Sequence, residues 1–218
     1  MSAIGRCVAR RGGLGLAWCW VIAATAARGE PSPPPSSSHF VQYGVALAAE
    51  TPVDAGAACP ERATAPCILG AGSGLTIRAG YRARAPWYVG GAYELTRQNS
   101  SNLLRLAILQ QLRAETRYYP VEGWRAAPYL WAGGGPFVYG NEWGVETGGL
   151  VSTVGVGLEL ELSRSTLLGV GAGYRLLVLR GWTDDAGQRR ADALLGFGAA
   201  HFAGLELGFE LRDPLSRW

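Results

Sequence analysis

From Val41 onward, apolar side chains recur at every second position. Val41, Tyr43, Val45 and Leu47 share one face, and Gln42, Gly44, Ala46 and Ala48 share the other. That is the period of a β-strand with one apolar side and one small or polar side. Leu75, Ile77, Ala79 and Tyr81 repeat the pattern against Gly74, Thr76, Arg78 and Gly80, and Trp87, Val89 and Tyr93 repeat it against Tyr88, Gly90, Ala92 and Glu94. Further on, Pro128 to Gly140 carries Tyr129, Trp131, Phe137 and Tyr139 on one side. In the sixth segment, about Leu150 to Leu162, Val154, Val156, Leu158 and Leu160 alternate with Thr153, Gly155, Gly157, Glu159 and Glu161. Leu168 to Val178 alternates with Gly169, Gly171, Gly173 and Arg175, and a last strand ends near Leu211 with Leu205, Leu207 and Phe209 opposite Glu206, Gly208 and Glu210.

One stretch satisfies two periods. Between Leu103 and Tyr119, Leu104, Ala107, Ile108, Gln111 and Leu112 fit a helix, whereas Leu104, Leu106, Ile108, Leu112, Ala114, Thr116 and Tyr118 form one face of a strand interrupted by Gln110. A strand is preferred here, because the seven other segments need an eighth to give the even number typical of closed bacterial barrels.

After the first residues, no segment has the ~20 uninterrupted apolar residues of a membrane-spanning helix. A sheet can cross lipid only when closed, because lipid leaves unpaired backbone groups unsatisfied. The expected fold is therefore all-β, an eight-stranded antiparallel up-and-down transmembrane β-barrel with its apolar faces outward. A barrel of eight strands is just wide enough to be filled by side chains. Arg78, Arg105, Arg113 and Arg175 are the expected lumen partners of Glu94, Glu115, Glu159 and Glu161, giving a filled polar lumen and not a passive pore. The connections at 82–86, 120–127 and 163–166 would be periplasmic turns. Those at 50–69, 99–102, 141–149 and 180–191 would be external loops. Trp87, Tyr118, Tyr119, Trp124, Tyr129, Trp143 and Trp182 are the expected aromatic girdles.

The N-terminus sets the expected compartment. Arg6, Arg10 and Arg11 precede an apolar run from about Leu14 to Ala24, followed by the small residues Ala24, Thr25 and Ala26. This reads as a secretory signal peptide over residues 1–26 cleaved near Ala26, with an uncleaved anchor as the alternative. Residues 27–38 form a Pro/Ser-rich linker, and 39–218 the barrel domain. The whole chain has a formal net charge of +3. Without the leader it holds 17 basic and 17 acidic residues. No nucleic-acid footprint remains. Every basic residue is Arg. Cys59 and Cys67 are the cysteines left after the leader; an even pair in an exported protein favours a disulfide over half of a metal site.

The leader and the alternating segments accompany the strand end Ala114-Glu115-Thr116-Arg117-Tyr118-Tyr119 and the strand Pro128-Tyr129-Leu130-Trp131-Ala132-Gly133-Gly134-Gly135. The last amphipathic strand includes Gly204, Leu207 and Phe209. Together they resemble the small outer-membrane β-barrel protein family that includes the OmpA transmembrane domain and the OmpX/Ail-type barrels. The resemblance covers about Phe40 to Leu211. It implies outer-membrane lipids as surroundings and the barrel-assembly machinery as a partner during insertion, with the chain departing from the pattern by continuing through Asp213-Pro214 to Trp218.

Candidate chemistry changes this picture little. His201 could be joined to Ser152 or Ser165 in a Ser-His-acid arrangement, yet no local turn marks a nucleophile. His39 precedes the first strand and reads as a solvated residue. The glycine runs at 133–135 and 169–173 do not complete a phosphate-binding fingerprint and read as barrel glycines. The expectation is a non-enzymatic envelope protein with no cofactor and no metal, its surface ligand unnamed by the sequence. An envelope-lipid-modifying barrel enzyme using His201 and a soluble lipocalin-like binding protein are the alternatives.

Overall fold

In the computed structural model, residues 39–59, 67–82, 86–100, 104–121, 125–142, 144–183, 187, 189–190 and 197–215 are described. The expected signal peptide and linker, together with Trp124 and Trp143, lie outside them. Eight long strands close into an antiparallel barrel: β1 (Phe40–Asp54), β2 (Gly72–Arg82), β3 (Trp87–Gln98), β4 (Ala107–Tyr118), β5 (Ala126–Asn141), β6 (Gly144–Glu161), β7 (Thr166–Arg180) and β10 (Phe197–Pro214). Each pairs with its sequence neighbour, and β1 pairs with β10 to complete the ring. A two-residue ladder of β8 (Trp182–Thr183) with β9 (Arg189–Arg190) stands in the connection between β7 and β10.

The alternating pattern decides which side faces out. Leu47 is 63% exposed, Leu112 59% and Leu207 51%, while their inward neighbours Ala46, Arg113 and Gly208 are buried. Among the described residues, outward strand positions carry charge only near the ends, at Asp54, Arg97, Glu146 and Arg180 on one side and Asp213 on the other. Between them lies a continuous apolar belt, far larger than the scattered apolar residues of a water-soluble surface. The stretch of β4 that also fitted a helix is strand, because its inward row Gln111, Arg113, Glu115 and Arg117 finds polar partners in the lumen.

The two ends differ. The turn end holds the β2–β3, β4–β5 and β6–β7 connections and the outer ends of β1 and β10. The loop end holds the other four connections. One of these is much shorter than the sequence suggests. Where a loop over 141–149 is expected, β5 runs to Asn141 and β6 starts at Gly144, with Glu142 in the left-handed region at φ 54°. The glycines and threonine that resemble a loop in sequence pair instead with Phe137, Val138 and Tyr139 across the ladder.

Gly155, Gly157 and Gly173 have a specific use. A Cβ on Gly157 would fall 2.3 Å from the Tyr129 ring, and one on Gly173 would fall 2.4 Å from Trp131. These inward aromatics lie flat on backbone, so the glycine strands and the aromatic strand β5 are complementary halves of one packed surface.

Candidate functional site: the barrel lumen

Three layers fill the lumen. At the turn end, Tyr88, Tyr119, Ala127 and Tyr129 cluster with partly buried Trp131. Guanidinium groups stack into them: Arg82 sits 3.8 Å from the Tyr119 ring centroid, and Arg117 lies 4.9 Å and 5.1 Å from those of Tyr88 and Tyr129. Such contacts stabilise a desolvated cation while leaving its N–H groups free for carboxylates.

The middle layer is a ladder of alternating charges. Arg175 bridges Glu50 and Glu94, the latter at 2.7 Å, and Arg113 binds the other oxygen of Glu94 at 2.8 Å. Arg78 links Glu206 to Glu210, and Arg117 joins Glu210 at 2.9 Å to Glu115 at 3.0 Å. Arg82 holds Glu159 at 2.7 Å. Neutral donors complete the carboxylates: Gln42 Nε2 donates to Glu210 at 2.6 Å and to Glu159 at 3.1 Å, and the Tyr119 hydroxyl donates to Glu159 at 2.9 Å. Charges this deeply buried persist only when paired and hydrogen-bonded. Inward parity brings these side chains into one lumen, and most of the pairs, such as Arg175 with Glu94 and Arg117 with Glu210, cross it between strands that are not neighbours.

The third layer, toward the loop end, is apolar. Leu109, Phe137, Tyr139, Val151, Leu177, Leu179, Ala200 and Phe202 point inward and are fully or nearly fully buried. Ala58, Ile68 and Leu69 from the β1–β2 connection pack onto them as a plug. A 3-10 turn, Gly56–Ala58, starts this plug, and Cys59 and Cys67 are joined by a disulfide. Gly56 takes φ 47°, and a Cβ there would meet the Ala199 carbonyl at 2.0 Å, so the turn is pressed against β10. The Tyr139 hydroxyl donates to the Ile68 carbonyl and ties the plug to β5.

Of the residues expected in the lumen, Arg78, Glu94, Arg113, Glu115, Glu159 and Arg175 all point into it. Glu161 stands at the rim of the turn end, 2.6 Å from Arg212. Arg105 is a correction: it is 87% exposed and lies 3.3 Å from Glu142 on the outside of the loop end. It has the inward parity of β4, but the strand begins only at Ala107, and parity has no meaning before the ladder starts. Sequence reasoning did not name Glu50, Arg82, Arg117, Glu206 or Glu210 as ion-pair members. Their shared inward parity is the signal that finds them. Tyr119 and Tyr129 are a second correction, since both are lumen residues and not girdle residues. Trp87 and Tyr118 do face outward at the turn end, with ring centroids 4.9 Å apart. The wholly polar lumen is a third: its loop-end layer is a hydrophobic core.

Neisserial surface protein A superposes with a TM-score of 0.53 over 79% of this chain and 96% of that one, at 16% identity. The outer membrane protein OprG from Pseudomonas aeruginosa gives 0.48 over 81% and 96%, at 15% identity. The chain has the fold of the small eight-stranded outer-membrane barrels. No family model and no curated protein matches the sequence.

The outside of the barrel keeps the candidate catalytic residues apart. His201 faces outward and hydrogen-bonds through Nδ1 with the Tyr174 hydroxyl. Ser152 also faces outward, but the register Ser152↔Leu176↔His201 puts β7 between them. Two strand spacings separate the pair by roughly 10 Å. Ser165 lies in the β6–β7 turn at the opposite end of the barrel. His39 stacks on Tyr81 at the turn end, with centroids 5.5 Å apart.

Proposed function

We propose that this protein is a non-enzymatic resident of the bacterial outer membrane that supports envelope integrity or meets external partners through its loop end. The observation that carries this reading is the double closure of the lumen, by a continuous arginine–glutamate ladder and by an apolar plug above it. A lumen filled in this way leaves the outer surface as the place for interactions. The apolar belt supports a lipid environment, and it disfavours the lipocalin-like alternative, which would carry its apolar residues inward around a ligand.

In this reading the turn end faces the periplasm and the loop end faces outside. Residues 1–26 serve as the cleaved export signal, and the barrel-assembly machinery inserts the chain through its last strand. A non-enzymatic role is favoured over lipid modification because His201 has a tyrosine partner, and Ser152 and Ser165 both lie away from it. Fractionation of the native organism tests the reading. A band in the outer-membrane fraction whose gel mobility shifts on boiling in SDS is expected; a soluble, heat-insensitive protein would overturn it.

A further inference from the structure

Above the apolar belt, on the outer surface of the loop end, β2, β3 and the connection from β3 to β4 build a cationic shelf. The outward row of β3 climbs through Tyr93 and Leu95 to Arg97, which is the first charge above the belt on that strand. The register sets Arg97 beside Ser73 of β2, which also points outward and is exposed. Arg97 has no ion-pair or hydrogen-bond partner among the described residues. Ser73, Arg97 and Arg105 together line an open cavity of about 470 Å³. Among the described residues, Arg105 is engaged only by Glu142 at 3.3 Å, with both side chains well exposed. An exposed pair of this kind contributes little and exchanges readily for a better anion. Directly below the shelf, Leu75, Leu95 and Leu112 are exposed on the belt.

The geometry points to a binding site for the phosphorylated headgroup of an outer-leaflet lipid. Arg97 and Arg105 would grip the phosphate, the Ser73 hydroxyl would donate to it, and the acyl chains would lie on Leu75, Leu95 and Leu112. Guanidinium forks match phosphate oxygens in shape as well as charge. A free soluble phosphate would gain nothing from the leucines beneath, whereas a lipid is delivered to this height by the belt itself. The site rests on the reading that the belt is embedded in the outer membrane with the loop end outside.

The test uses the full exported protein reconstituted in phosphatidylcholine nanodiscs doped with bisphosphorylated lipid A. Its release from the membrane is followed by native mass spectrometry, with a heat-modifiability gel as a check on folding. Failure to form a heat-modifiable barrel in lipid would count against the membrane reading itself. In folded protein, lipid A adducts should persist, and R97A/R105A should lower their retention at least about tenfold, taking roughly 1 kcal/mol per arginine near a lipid surface. R125A, whose side chain is exposed at the turn end, should leave retention unchanged. Three results would overturn the proposal: equal retention of dephosphorylated lipid A, unchanged retention in the double variant, or complete competition by millimolar inorganic phosphate. The last of these would assign the shelf to soluble phosphate.

Discussion

The centre of the ladder is Glu94, which is fully buried and receives Arg113 at 2.8 Å and Arg175 at 2.7 Å on its two oxygens. Removing one member of such a group leaves an uncompensated charge in a place water does not readily reach. The loss should be about 3–5 kcal/mol. Arg113→Ala is therefore expected to lower the urea midpoint of the barrel in lipid vesicles by a large step. Arg105→Ala, outside the barrel, should leave it unchanged. Equal effects from the two substitutions would show that the ladder is not a structural unit. The contrast between Arg105 and Arg113 also marks where sequence reading stops. Both have the same parity in one apparent strand, and only the ladder's first paired residue, Ala107, separates a lumen residue from a surface one. Tyr119 shows the reverse: one residue beyond β4 it still follows the inward parity, because its N–H donates to the Pro86 carbonyl at 2.8 Å and prolongs the ladder.

Two elements break the regular pattern, and each leads to a measurement. Pro136 sits outward in the middle of β5, where the pairing with β6 is continuous. The β4–β5 register passes from Gln111↔Phe137 to Ala114↔Gly134 with no paired residues between. Proline has no N–H for that ladder, and lipid offers no substitute donor. The β4–β5 seam should thus be the first to exchange amide hydrogens in vesicles. Pro136→Val should slow exchange along the seam and raise stability by about 1 kcal/mol; an unchanged or faster exchange would place the weak seam elsewhere. The plug is the second such element. Replacing Cys59 and Cys67 by serine frees a short loop whose closure is worth about 2–3 kcal/mol on chain entropy. Amide protection at Ile68 and Leu69 should fall sharply while the strands keep theirs. Loss of protection throughout the barrel would mean that the plug is needed for the whole fold and not only for closing the mouth.

At the scale of the whole molecule, the strand count, the direction of the apolar faces outside β5 and the inward acids and bases are legible in the sequence, because a period of two survives wherever one face meets lipid. The apolar loop-end layer is not. Leu176-Leu177-Val178-Leu179 is apolar on both faces, so alternation vanishes where a strand is covered by lipid or solvent on one side and by the plug on the other. A continuous apolar run is the signature of a strand buried on both sides. In β5 the inward face holds the aromatics Tyr129, Trp131, Phe137 and Tyr139, and the outward face holds the smaller Leu130, Ala132 and Val138. The bulkier row goes inside because the facing glycines of β6 and β7 leave room for it, a complementarity between strands that no single segment reveals.

A lumen closed by the ladder and the plug is expected to admit no continuous water path. Planar-bilayer recording of the refolded, heat-modifiable protein tests it most directly. Insertion without stepwise conductance is the expected result; a stable open level in the intact protein, with Cys59 and Cys67 oxidised, would contradict a lumen closed by the ladder and the plug.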